Sequence, residues 1–124
     1  GLIPYFYPLP KQHGAMLAKG WLLGLQYDVL FTHGFYENIG KNAIIYADAI
    51  CQKLTEKGWK LCFGSPTNQV FVEVTDEIYG KIQEKVVVSF WEKTKEDYTT
   101  IRFATSWATT EEDVEKLLEV LDTM

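Results

Sequence analysis

The chain has 124 residues, the size of one domain, and 47% of them are apolar, which is enough to form a core and argues against a disordered chain. The formal net charge is −5 without a basic cluster, so nucleic acid is a poor candidate partner. Cys51 and Cys62 form neither a CxxC motif nor a metal-ligand spacing, and we expect them to be reduced core thiols of a cytoplasmic protein.

The first quarter of the chain is predicted to be an extended segment followed by a buried helix. The start, GLIPYFYPLP, carries three prolines, so we expect residues 1–10 to be extended. It lacks the basic region of a signal peptide and is typical of an internal segment of a longer protein. Residues 14–31 are apolar on nearly every side, which indicates a helix buried in a large core or a subunit interface. Their two charges and three glycines argue against a membrane span.

A second helix is predicted over residues 35–57, with Gly58 suited to the position just after its end. Its apolar residues recur every three or four positions: Ile39, Ala43, Tyr46, Ala47, Ile50 and Leu54. The elements expected after it are strands over 59–63 and 69–74, a short helix over 76–85, a strand over 86–91, a charged connection over 92–98 and a strand over 99–105.

The last helix is predicted to begin at Thr109, because Thr109 and Glu112 fit the S/T-x-x-E capping box. Its core-facing stripe consists of Val114, Leu117, Leu118 and Leu121. The elements together predict an α+β fold in which long N-terminal helices precede a mostly antiparallel sheet with helices on one face. We divide the chain into residues 1–34, an extended segment with an interdomain or interface helix, and residues 35–124, a small C-terminal α+β domain.

Arg102 is the residue of the last strand that calls for an explanation. Alternation places Ile101 and Phe103 on one face of this strand and Arg102 on the other, so the guanidinium need not enter the core. Two interpretations stay open at this point. Arg102 is either a surface arginine with a cross-strand acidic partner or a residue that binds a ligand.

The remaining polar residues indicate little chemistry by themselves. His13 and His33 lie on either side of a helix without an acidic pair nearby, and we expect turn residues rather than metal ligands. Asn68 follows a Pro-containing turn, where its side chain is expected to bond to local backbone groups. No nucleophile–base pair or phosphate-binding loop is present in the sequence.

Three segments, taken together and in order, resemble the C-terminal part of the threonine aldolase/β-eliminating lyase family. They are KQHGAMLAKGWLLGLQYDVLF at 11–31, SPTNQVFVEV at 65–74 and IRFATSWATTEEDVEKL at 101–117. The family consists of pyridoxal-phosphate enzymes of the aspartate-aminotransferase superfamily. The resemblance implies the small domain of a fold-type I enzyme, preceded in the whole protein by a large α/β domain that holds the cofactor.

The resemblance also implies roles for three residues. In the family, the arginine of the last strand motif binds the substrate α-carboxylate, which assigns that role to Arg102. Lys11 and Lys19 match a family region near the cofactor phosphate of a neighbouring subunit and are the candidate cofactor-binding residues. No lysine of this chain matches the setting of the lysine that bonds covalently to pyridoxal phosphate, so no catalytic residue and no metal ligand is assigned.

The function that the resemblance implies belongs to the full-length protein. It is a carbon–carbon lyase similar to the low-specificity threonine aldolases, which cleave threonine or allo-threonine to glycine and acetaldehyde. We expect a cytoplasmic homo-oligomer, a dimer or a tetramer, that binds no membrane, and an isolated chain that is inactive. Two alternatives remain: another fold-type I enzyme such as an amino acid β-eliminating lyase, or a non-catalytic stand-alone binding module.

Overall fold

A computed structural model describes residues 3–124 of the chain. The elements are α1 (Pro8–Gln12), α2 (Gly20–Phe31), α3 (Phe35–Glu56), β1 (Lys60–Leu61), β2 (Gln69–Thr75), α4 (Asp76–Gln83), β3 (Ser89–Lys95), β4 (Tyr98–Ala104) and α5 (Glu111–Asp122). They form two compact units that divide between Tyr36 and Glu37. The combination of helices with an antiparallel sheet confirms the predicted α+β class.

The start of the chain is not extended, which corrects the prediction made from its prolines. Residues 4–7 form turns, and α1 follows directly. Pro8 occupies the first position of α1, where a missing N–H costs no hydrogen bond, and Pro10 still lies in the first turn. Prolines therefore begin this helix instead of preventing it. Gly1 and Leu2, which the prediction also included, lie outside the described residues.

Helix α2 is shorter than the predicted helix and presents apolar side chains on all sides. It begins at Gly20, and Lys19 occupies the N-cap position without a side-chain hydrogen bond. None of its residues is buried in the structure. Its large exposed side chains are Trp21, Leu22, Leu23, Leu25, Tyr27, Val29 and Phe31. Among residues 3–124, no helix is both long enough and apolar enough to cross a membrane.

Helix α3 confirms the predicted second helix and its apolar stripe from Ala43 onward, whereas Ile39 is only half-buried and lies outside the core cluster. The buried residues are Ala43, Ala47, Ile50 and Leu54. At its end, the Gly58 N–H donates to the Thr55 carbonyl and the Trp59 N–H donates to the Leu54 carbonyl, each at 2.9 Å. These two bonds form a Schellman motif, and Gly58 takes the left-handed φ of +74° that the motif requires.

The sheet is antiparallel, with four strands in the order β1-β2-β4-β3. The core lies between one sheet face and helices α3, α4 and α5. The sheet residues of this core are Val70, Val72 and Val74 from β2 and Ile101 and Phe103 from β4. The other face carries Phe71 and Arg102, and we call it the open face because α3, α4 and α5 pack on the opposite side.

Strand β3 differs from its prediction in both limits. It covers Ser89–Lys95, so residues 86–88 precede it and only Glu96 and Asp97 remain in the turn to β4. The sequence EKTK was expected to be a loop because it is charged. In the structure it continues the edge strand, where exposed charges and two register shifts protect the edge from pairing with another chain.

The cap of α5 lies one residue later than predicted. The Asp113 N–H donates to Thr110 Oγ1 at 3.2 Å, and the Thr110 N–H donates to Asp113 Oδ2 at 3.1 Å. Thr109 Oγ1 instead accepts a hydrogen bond from the Ser106 N–H at 2.9 Å. Two adjacent threonines, each followed three residues later by an acid, leave the helix start ambiguous in the sequence. The predicted stripe is confirmed: Val114 and Leu121 are buried, and Leu117 and Leu118 pack against the core.

Asp76 links the start of α4 to the β3–β4 hairpin. Its carboxylate accepts hydrogen bonds from the Lys93 ammonium and, at 2.7 Å, from Thr99 Oγ1. Its backbone N–H donates to the Asp97 carbonyl at 3.0 Å. The hydrogen bond from Lys93, followed by that from Thr99, holds the pKa of Asp76 below its usual range.

We expect Asp76→Asn to destabilise the 124-residue chain at neutral pH and to have a much smaller effect in acid. A carboxyl with a lowered folded-state pKa contributes stability above its unfolded pKa, and this stability is lost as the pH falls through the folded pKa. Urea midpoints at about pH 7 and about pH 3 measure the difference. Asp48→Asn is the control, since Asp48 is exposed and forms no ion pair among residues 3–124. Equal destabilisation at both pH values would contradict a stabilising role for the ionised Asp76 carboxylate.

Candidate functional site on the open face

Arg102 is the only arginine of the chain and lies near the middle of β4. Its partners across the sheet are Phe71 in β2 and Ser89 in β3. The adjacent residues Ile101 and Phe103 are buried on the opposite face. The alternation predicted from the sequence is therefore confirmed. A strand with a neighbour on each side holds the Arg102 backbone in a defined position under the open face.

Two uncharged side chains orient the guanidinium. Arg102 Nη1 donates to Gln69 Oε1 at 3.1 Å, and Nη2 donates to Ser89 Oγ at 3.3 Å. Among residues 3–124, Arg102 takes part in no ion pair. The interpretation of Arg102 as a surface arginine with a cross-strand acidic partner is therefore wrong. Its positive charge is oriented by the sheet but is not neutralised by the described part of the chain.

One aromatic ring lies against the guanidinium on the open face. The Trp91 ring centroid lies 5.5 Å from Arg102 Cζ, within the range of a cation–π contact. Trp91 packs edge-on against Phe71, with 4.9 Å between the ring centroids, and the Phe63 ring packs against Phe71 at 4.8 Å. The Trp91 ring therefore covers one part of the guanidinium, while Trp91 and Phe63 are themselves about half exposed.

The Nε–H of Arg102 is buried and has no acceptor among the described residues. A buried donor without a partner costs about 1–3 kcal/mol. A guanidinium has five N–H donors, arranged as a planar fork that matches a carboxylate or a phosphate. Gln69 and Ser89 accept from Nη1 and Nη2 only, so donor capacity is left on the guanidinium. A planar guanidinium with donor capacity left suits an oxyanion.

A cavity of about 370 Å³ lies between the sheet and α5, and its lining includes Arg102 together with the core residues Ile50, Phe103 and Val114. Its polar lining comes from Ser89, Arg102, Thr105, Thr109 and Asp113, and its apolar lining includes Val86, Val87 and Leu117. The Asp113 carboxylate is engaged by Thr110, whose side chain and backbone hydrogen bonds lower the pKa of Asp113. Because α5 packs on the helix-covered face of the sheet, the cavity lies mainly on that side and not on the open face.

The other predicted site residues lie in the N-terminal unit. Lys11 is in the last turn of α1 and Lys19 precedes α2, and both side chains are exposed. His13 caps the end of α1, and His33 lies in a turn with φ of +55°. Both histidines are turn residues, as expected. Within residues 3–124, no group of three or more His, Cys, Asp or Glu side chains could hold a metal ion.

Two expectations about polar residues need correction. Asn68 does not bond locally: its Nδ2 donates to the Thr105 carbonyl at the end of β4, and its own carbonyl accepts from the Thr105 N–H at 3.0 Å. Cys62 is exposed instead of belonging to the core, and its Sγ lies 3.6 Å from Thr100 Oγ1. Cys51 is half-buried in α3, where burial and then Asp48 raise the pKa of its thiol.

Gln69, Ser89 and Trp91 belong to the site but were not singled out from the sequence. Gln69 is the first residue of β2 and Ser89 the first of β3, and both strands flank β4. Alternation alone could have placed each of them on one face of its own strand. Only the strand order and register bring them to Arg102, and no local pattern in the sequence contains either.

Neither a protein-family model nor a curated protein matches the sequence. Among solved structures, the chain is similar to the threonine aldolase of Leishmania major, with a TM-score of 0.84 and 31% sequence identity. The similarity covers 98% of this chain and 36% of the aldolase chain. The chain has the fold of the C-terminal domain of a threonine aldolase. This finding confirms the resemblance carried by the three sequence segments.

The threonine aldolase-like domain spans about a third of the length of the aldolase that it matches. The fold is that of a pyridoxal-phosphate-dependent enzyme. Its sheet supports the Arg102 site, and α3, α4 and α5 hold the sheet from the opposite face.

Proposed function

We propose that the full-length protein containing this chain is a pyridoxal-phosphate-dependent carbon–carbon lyase that cleaves threonine or allo-threonine to glycine and acetaldehyde. The observation that carries the proposal is Arg102, an oriented cation without an ion pair among residues 3–124. Identity of 31% to a threonine aldolase over nearly the whole chain supports it. In this proposal the domain supplies the anchor for the substrate α-carboxylate.

The chemistry of a guanidinium agrees with that role. A carboxylate can accept two parallel, charge-assisted hydrogen bonds from one arginine, which fixes both its position and its orientation. Arg102 projects from a central strand, and its Nη atoms are already held by Gln69 and Ser89. Binding of the amino acid therefore requires little further loss of conformational entropy in the Arg102 side chain. An amino acid held by its carboxylate presents the rest of the molecule in a defined direction.

The residues of this chain do not form a complete pyridoxal-phosphate site. Every lysine among residues 3–124 is exposed or half-buried, whereas a lysine activated for covalent bonding lies in a desolvated pocket or beside another cation. We assign most cofactor contacts, and the covalent lysine, to a domain outside this chain. Lys11 and Lys19 remain proposed contacts to the cofactor phosphate. When bound, the cofactor supplies the electron sink for breaking the Cα–Cβ bond.

We also propose that the full-length protein is a homo-oligomer, a dimer or a tetramer. The support is α2, which exposes apolar side chains such as Trp21, Leu25 and Phe31 on different sides of one helix. A helix with apolar side chains on every side is normally buried against other elements or another subunit. A cytoplasmic location stays a prediction from the two cysteines.

The test uses the purified full-length protein with pyridoxal phosphate. We expect L-threonine or L-allo-threonine to be converted to equal amounts of glycine and acetaldehyde, in a reaction that requires the cofactor. Mass spectrometry measures the glycine, and a coupled dehydrogenase assay measures the aldehyde. Release of ammonia without glycine would favour the β-eliminating lyase instead. A protein whose cofactor absorbance responds to no amino acid would favour the stand-alone binding module.

A further inference from the structure

The two hydrogen-bond acceptors of Arg102 lead to a further inference, which rests on the proposed function. We infer that Gln69 and Ser89 are positioning residues for Arg102. They hold the guanidinium in the orientation that receives a carboxylate. Because both are neutral, they orient the positive charge without cancelling it. The neutral character of the side chain at position 69 is thus a requirement for amino acid binding.

The acceptors come from the two strands on either side of Arg102. Ser89 lies directly opposite Arg102 in the β3–β4 ladder. Gln69 pairs with Ala104 in the β2–β4 ladder and reaches along the face to Nη1. Both side chains are half-buried, and the Trp91 ring lies against the same guanidinium. Two acceptors on separate strands and one ring limit the rotation of a side chain that is otherwise flexible.

The absence of charge at these acceptors contrasts with the rest of the sheet. Glu73 accepts from Lys60 at 3.0 Å and lies 3.6 Å from Lys95, and these lysines lower its pKa. Lys93 likewise pairs with Asp76. Three sheet lysines therefore have a carboxylate partner, whereas Arg102 has an amide and a hydroxyl. A carboxylate at position 69 would form an ion pair with Arg102 and compete with the carboxylate of the amino acid.

The experiment uses the full-length protein with pyridoxal phosphate and compares two small amines. Glycine carries a carboxylate, and methylamine is the same molecule without it. Their dissociation constants are obtained from the change in cofactor absorbance. The variants are Gln69→Glu, Gln69→Met and Ser89→Ala. Gln83→Glu and Gln83→Met are the matched controls, because Gln83 is exposed in α4 and bonds to Tyr79.

We expect Gln69→Glu to weaken glycine binding by about ten- to hundredfold. The new carboxylate would form an ion pair with Arg102 and compete with the carboxylate of glycine for the guanidinium. Gln69→Met removes the acceptor without adding charge, and Ser89→Ala removes the other acceptor, so both should cause smaller losses. Methylamine binding should not change in any of these three variants, because methylamine has no carboxylate. The Gln83 variants should bind both molecules as the wild type does.

Two results would overturn the inference and leave the proposed function intact. One is glycine binding by Gln69→Glu within about threefold of the wild type, while Arg102→Ala loses it. The other is an equal loss of glycine and methylamine, which would indicate general damage to the fold. If Arg102→Ala itself binds glycine normally, the carboxylate anchor has failed, and the positioning role fails with it.

Discussion

Arg102→Ala is expected to lower kcat/KM for threonine cleavage by the full-length protein roughly 30- to several-thousand-fold while pyridoxal phosphate stays bound. The substitution removes one partner of the proposed charge pair with the substrate carboxylate, and losing one partner of such a hydrogen-bonded pair costs about 2–5 kcal/mol. The cofactor is retained because the proposed contact of Arg102 is with the substrate. Steady-state kinetics and the cofactor absorbance, measured on the same preparation, separate the two effects.

Arg102→Lys is the companion variant. An ammonium keeps the charge but cannot form the planar fork, so we expect only part of the activity to return. It also cannot donate to Gln69 and Ser89 while presenting two parallel N–H groups to a carboxylate. A loss of less than about threefold in Arg102→Ala would correspond to a surface arginine and would refute the anchor.

Ile50→Ala is expected to destabilise the 124-residue chain by about 2–5 kcal/mol. Ile50 is 2% exposed and belongs to the core cluster between α3 and the sheet. Its truncation removes apolar contacts and leaves a cavity that the neighbouring side chains fill only in part. The free energy of unfolding from a urea titration measures the effect.

Ile45→Ala is the matched control for this prediction. Ile45 lies in the same helix but is 60% exposed, so the same substitution there removes little buried surface. Alanine also has a higher helix propensity than isoleucine, which offsets the small loss. We expect a change within about 0.5 kcal/mol. Equal destabilisation by the two variants would contradict the placement of the core on the Ile50 side of α3.

The elements that depend on local pattern were predictable from the sequence. The apolar repeat of α3 and the alternation of β4 both indicate which side of the element is buried, because the side that packs on the core must be apolar. For the same reason, alternation placed Arg102 on the face away from the core. The existence of α1 and the limits of β3 were not predictable in this way. Proline is tolerated at a helix start, and charged residues are tolerated on an edge strand. Whether a segment occupies such a position depends on the whole fold and cannot be determined from its composition.

The surroundings of Arg102 were beyond local reasoning. Gln69 lies in β2, far in the sequence from Ser89 and Trp91 in β3, and they meet at Arg102 only because β4 is placed between β2 and β3. An acidic cross-strand partner was a reasonable expectation for a strand arginine, since opposite charges stabilise paired strands. The register instead puts Phe71 and Ser89 opposite Arg102. This neutral environment is what supports the proposal that Arg102 binds a ligand.

The most direct test of the carboxylate anchor compares threonine with 1-amino-2-propanol, which is threonine without its carboxylate. Both are titrated into the full-length protein with pyridoxal phosphate, in the wild type and in Arg102→Ala, and binding is followed by cofactor absorbance. The wild type should prefer threonine by about 30-fold or more, and Arg102→Ala should bind the two almost equally. An undiminished preference for threonine in Arg102→Ala would show that another group binds the carboxylate.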